Sequence, residues 1–176
     1  MALVLGLLVV DAQVRGWNED AMIIGAFADS FNGTARSLRF FLATKDFDWA
    51  NESIRWLASA ADIAQDQYLR GGFPSGAALG LTLSNLHCAI TAQVYVVEDL
   101  LQDPSRLERA SPQADYIGRV EALYGNVSAD LDVVQPRGID PLSQLPPDRV
   151  QSVRAAISEI RTLGEPWYGV VGCPDF

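Results

Sequence analysis

Apolar residues recur along the first forty positions of the chain with a heptad rhythm. Leu3, Leu7, Val10, Val14, Trp17, Ala21, Ile24, Ala28, Phe31, Ala35, Leu38 and Leu42 alternate steps of four and three without interruption. That spacing puts them on one stripe of an α-helix. A helix of this length extends about 63 Å at 1.5 Å per residue. Gly6, Gly16, Gly25 and Gly33 lie within it. Each costs up to about 1 kcal/mol relative to alanine, so a bend or break is expected near Gly16 or Gly33.

The rhythm restarts at Phe47, Ala50, Ile54, Leu57, Ala61, Ala64 and Tyr68, with Asp46 or Asp48 placed to cap a second helix. The Arg70–Gly76 run, with its three glycines and Pro74, ends it. The next segment, Ala77 to Leu101, reads as a third helix of another kind. No residue from Gly71 to Val97 is charged, and Leu79, Leu83, Leu86, Ile90, Val94 and Val97 occur on all sides. A helix apolar all round is the centre of a bundle or a membrane span. Asn85, His87 and Gln93, polar at mid-segment, favour the bundle centre over a span at 71–97.

Ser111 and Pro112 suit the cap and first position of a fourth helix, whose stripe is Ile117, Val120, Tyr124, Val127, Leu131 and Val134. Residues 135–147, rich in proline, read as an irregular connection. A fifth helix carries Val150, Val153, Ile157, Ile160 and Leu163, with Gly164 as its stop and 165–176 as a coil tail. No segment alternates with period two. The expectation is an all-α antiparallel bundle of four to five helices, with a long N-terminal helix and a nearly all-apolar central one, formed by residues 1–176 as a single domain.

The apolar start changes this picture. Residues 1–10 hold no charge and are too short to cross a bilayer, which needs about twenty such residues. They can be the remnant of a signal or membrane anchor, or the plain start of the first helix. No positive cluster precedes them in the given sequence, which weakens the signal reading. Across all 176 residues the formal charge is −9, and Lys45 is the single lysine. An acidic surface of this kind disfavours nucleic acid and anionic lipid headgroups. Arginine in place of lysine fits a GC-rich coding sequence, and a surplus of carboxylates fits a high-salt habitat.

Two cysteines, Cys88 and Cys173, are compatible with one disulfide that fastens the aromatic tail to the bundle, or with two unrelated thiols. Three of the five asparagines, Asn32, Asn51 and Asn126, begin N-x-S/T glycosylation sequons, each beside an apolar stripe rather than on it. Both features point outside the cytoplasm, a cytoplasmic location being the alternative.

Motifs for chemistry are few. With His87 as the sole histidine, neither a multi-histidine metal site nor a ferritin-like Glu-x-x-His pair can form. No C-x-x-C, phosphate-binding glycine loop or nucleophile elbow occurs, and no cofactor is implied. His87 and Cys88 are neighbours whose side chains diverge on a helix. Asp62 and Asp66 share a helix face but are too few for a calcium site, as are Glu98–Asp99 and Asp130 with Asp132. Arg36 and Arg39 are placed to receive an anion or to pair with acids such as Asp29. Trp17, Trp49, Trp56 and Trp167 suit a pocket lining or core anchors.

The expectation is therefore a non-enzymatic secreted or membrane-tethered bundle acting by binding, sensing or surface assembly. Its long first helix is open to a second copy or a protein partner, and its N-terminus to a membrane. The alternatives are a small helical enzyme using Asp, Glu and Arg groups in the bundle core, and an integral membrane protein spanning at 71–97.

Overall fold

A computed structural model describes the backbone of residues 2–168 and the side chains of residues 9–167. Six α-helices follow one another: α1 (Ala2–Thr44), α2 (Phe47–Leu69), the short α3 (Pro74–Ala78), α4 (Leu83–Gln102), α5 (Pro112–Leu131) and α6 (Pro147–Tyr168). Single 3-10 turns occupy Pro104–Leu107 and Pro141–Gln144. Helix α1 packs against α2 and α5, α4 against α2 and α6, and α5 against α6. The five long helices thus close a ring around one core, with α2, α1 and α5 on one side and α4 and α6 on the other.

The stripe predicted for α1 is buried from Ala21 to Leu38. A second stripe of Phe27, Thr34 and Phe41 is buried beside it. Having a neighbour on each flank, α1 hides more of its circumference than one heptad seam would. Phe27, Phe31 and Tyr124 stack in sequence, with centroids 6.2 and 5.6 Å apart. Around them Leu57, Leu86, Leu100, Ile117 and Leu131 are fully enclosed.

No break interrupts α1 at Gly16 or Gly33. Gly33 has a packing role instead. The Trp56 indole lies against the helix where a β-carbon would project, so only a residue without one admits the ring. The helix ends at Lys45, whose φ of 59° is left-handed, and Asp46 starts α2 by accepting the Asp48 N–H at 3.0 Å. Ser111 caps α5 as expected, accepting from Ala114 N at 3.1 Å.

Two expected boundaries are corrected. The segment Ala77–Leu101 is not one helix. Helix α3 ends at Ala78, the chain turns through Gly80 at φ 78°, and Thr82 caps a new helix by accepting from Asn85 N. The positive φ at Gly80 and the Thr82 cap, both written in the sequence, outweigh its apolar continuity. Among the described residues no helix is long and apolar enough to cross a membrane. Nor is α4 buried all round, since Tyr95 and Leu101 are exposed.

At the other end, Gly164 does not stop α6, which continues through Pro166 to Tyr168. Trp167, placed edge-on to Tyr116 at 6.3 Å, gives the extra turn a packing contact that Gly164 alone does not foreshadow. Residues 165–168 of the expected coil tail are therefore helical, and 169–176 lie outside the described residues.

Candidate functional site

The seam between α1 and α2 opens into a groove at each end. The lower one, of about 810 Å³, is lined by the apolar Met22, Ile23, Ala26 and Ile63 and by Glu19, Asp20, Asp62 and Asp66. Here the Asp62–Asp66 pair singled out in the sequence meets two acids of α1. Asp66 is engaged by Arg70 at 2.9 Å. Asp20 accepts a hydrogen bond from Ser75 Oγ at 3.0 Å. Partial burial raises its pKa, the Ser75 bond opposes that, and the charges of Asp140 and Glu19 add to it. Asp20 was not foreseen, because its meeting with Ser75 depends on the turn after α2. Among the described residues no group of three or more acids, histidines or cysteines converges as a metal site.

The upper groove, of about 580 Å³, lies where Arg36 and Ser37 of α1 face Trp49, Glu52 and Trp56 of α2. Trp56 rests on Gly33, and Trp49 stacks on Phe40 at 4.8 Å. Each indole is thereby pinned by α1 on one side and half-buried. Arg55 is held by Glu52 at 3.2 Å. Arg39 pairs with Glu121 of α5 at 2.6 Å, but the Arg36 side chain has no hydrogen bond or ion pair among the described residues, Asp29 included. The Ser37 hydroxyl is buried without a hydrogen-bond partner. Sequence reading raised the arginines and the tryptophans separately. What it missed is that the Gly33–Trp56 contact brings them to one groove.

The chain matches no protein-family model, no curated protein and no solved structure.

All three sequon asparagines are exposed. Asn32 and Asn126 border one shallow groove with Arg36 and Arg39, and Asn51 borders the upper groove. The three therefore share the face formed by α2, α1 and α5. Their partner hydroxyls point inward. Thr34 donates to Ser30 O at 2.9 Å, Ser53 to Ala50 O at 2.6 Å and Ser128 to Ala28 O at 2.9 Å. Two positions on a helix are about 200° apart, so an exposed Asn followed by a buried hydroxyl has a folding reason of its own.

Cys88 is fully buried in α4, and Cys173 lies outside the described residues. His87, one position earlier, is half-exposed. Asp99 accepts from Arg106 at 3.2 Å and Gln113 at 2.9 Å, fastening the end of α4 to the start of α5. Asp130 lies 3.7 Å from Arg149. Glu98 and Asp132 stay on the surface. Asp103, at the end of α4, has its pKa lowered chiefly by the Ser105 hydroxyl, with Arg109 and Arg106 adding to the effect.

Proposed function

We propose that this protein is a non-enzymatic binding or sensing bundle, held at a surface outside the cytoplasm by the outer part of α1. One observation carries the reading: α1 runs on past its packed part, where Val14 and Trp17 are still half-buried, to Val9 and Val10 in the open. Its first core residue is Ala21, whereas Val9 and Val10 are 64% and 58% exposed. The loop at Gly138 meets α1 at Asn18, donating its N–H to Asn18 Oδ1 at 2.7 Å. Ahead of that contact come the ten uncharged residues of 1–10. The helical residues 2–10 measure about 13.5 Å, close to the depth of one leaflet of a bilayer whose core is about 30 Å.

In sequence Leu3, Val4, Leu5, Leu7 and Leu8 are nearly consecutive, a composition that suits lipid better than a single partner groove. Lateral pairing of two copies is the second reading, favoured because Leu3, Leu7, Val10, Val14 and Trp17 keep the register of the core stripe. Nothing favours catalysis in the core, since no Asp, Glu, Arg or Lys is buried among the described residues. A Cys88–Cys173 disulfide belongs to this proposal. Helix α6, which leads into the tail, packs on α4, which holds Cys88, and such a bond adds about 2–4 kcal/mol. Glycans on Asn32, Asn51 and Asn126 belong to it as well, because exposed asparagines accept them without displacing the core.

Flotation with neutral phosphatidylcholine vesicles tests the tether. The chain is expected to float, and a Val9→Asp, Val10→Asp variant to stay in solution with an unchanged melting temperature. A stable dimer without vesicle binding moves the assignment to the second reading. A monomer that does not float overturns both. Non-reducing intact mass, before and after deglycosylation, reads the disulfide and the sequons in the same preparation.

A further inference from the structure

We infer that the upper groove between α1 and α2 is a saccharide-binding site for a short neutral oligosaccharide. The inference goes beyond the surface tether, and neither needs the other. Trp49 and Trp56 are seven residues apart on α2, about 10.5 Å along the helix. They stand at opposite ends of the groove, backed by Phe40 and by Gly33. Rigid, half-buried indoles offer flat apolar faces at little conformational cost, and the C–H face of a pyranose ring packs on such a surface.

Between the indoles the hydrogen-bonding groups are of both kinds. Arg36 and the Asn51 amide are donors whose side chains have no partner among the described residues; Glu52, shared with Arg55, is an acceptor, and Asp48 offers another just beyond Trp49. At the floor lies Ser37, 1% exposed, its hydroxyl unsatisfied. A buried polar group without a partner costs free energy, which a ligand hydroxyl recovers once a small side-chain shift opens Ser37 to the groove.

Charge narrows the ligand class. The lining holds two arginines against three carboxylates, and one of each is already paired as Arg55 with Glu52. This near balance favours neither a simple anion nor a simple cation, and no metal cluster forms among the described residues. A purely apolar ligand would strip water from the exposed Arg36 and leave Ser37 unsatisfied. Sugar hydroxyls donate and accept at once, which suits an alternation of guanidinium, amide and carboxylate between two aromatic plates.

The sugar has two possible sources. It can be a free oligosaccharide, or the chain's own glycan carried on Asn51, which borders the groove. Titration of the full chain with maltotriose and with N,N′-diacetylchitobiose, followed by tryptophan fluorescence, tests the shared chemistry. Inorganic phosphate and butylamine serve as charged comparisons.

For a free ligand, the unglycosylated chain is expected to respond saturably to at least one saccharide. Arg36→Ala and Ser37→Ala, which remove groups without partners in the fold, are expected to weaken the response at least tenfold. For the chain's own glycan, deglycosylation shifts the tryptophan emission and opens the groove to added saccharide, and the Asn51→Gln variant starts in that open state. No saccharide response in either form overturns the inference. So does a response undiminished in Arg36→Ala, or one confined to phosphate or butylamine.

Discussion

Single residues decide where the helices of this bundle meet, and Gly33 is the clearest case. In the sequence it looks like a weak point of a long helix. In the fold it is the place where Trp56 lies flat on the α1 backbone. Gly25, eight residues earlier on the same helix, has open space where a β-carbon would stand. Opposite outcomes follow for the same substitution. Gly25→Ala is expected to stabilise the protein by up to about 1 kcal/mol through helix propensity. Gly33→Ala displaces Trp56 and is expected to destabilise it by about 1–3 kcal/mol, as overpacking does. Chemical denaturation of the two variants checks the sign of each. Glycine in a helix was legible in the sequence; which glycine lies beneath an aromatic ring was not, because the Trp56 partner is fixed only once α2 folds back on α1.

Elements were legible where caps and periodicity agreed. The stripes of α1, α2 as far as Ala64 and α5 as far as Leu131, with the caps at Asp46 and Ser111, follow from residue spacing and from short polar side chains beside apolar runs, whereas Tyr68 is exposed and Val134 lies beyond α5. Agreement failed in the uncharged stretch after α2, where hydrophobicity is too even to have a period. The break lies at Gly80 and Thr82, and it is local backbone chemistry that produces it. Gly80→Ala forces a side chain into left-handed backbone at φ 78°. It is expected to cost about 1–2 kcal/mol, whereas the same change in a regular helix with open space around it, as at Gly25, stabilises. Amide exchange then accelerates first around the α3–α4 turn. Uniform protection there, with stability unchanged, contradicts this reading of the turn.

At the scale of the molecule the acids are spread over the outside of a ring whose described core holds no charge. The ion pairs that relieve this surface are exposed or half-exposed, as with Arg119 and Glu159 at 2.6 Å or Arg39 and Glu121, and each contributes about 0–1 kcal/mol. Self-repulsion of a net charge of −9 therefore outweighs them. The melting temperature is expected to rise between about 0.05 and 1 M sodium chloride, as the screening length falls from more than 10 Å to about 3 Å. A fall over that range would mean that the surface pairs dominate. The all-α class and the long first helix were legible at this scale because they depend on counting. The two α1–α2 grooves were not, because each takes its residues from helices whose rotational setting is fixed by packing.

Helix α1 is the one element shared by the exposed outer segment and the packed ring. It is continuous from Ala2 to Thr44 and flanked by both α2 and α5. A continuous helix carries a rigid tilt from one end to the other, and its contacts begin around Asn18 and Ala21, which would act as the pivot of such a tilt. A tilt imposed on the outer arm turns the inner arm in the opposite sense. Both α1–α2 grooves have one wall on this helix, the lower close to the pivot and the upper farther along the inner arm. The displacement of a wall grows with its distance from the pivot, so a tilt alters the width of the upper groove more than that of the lower.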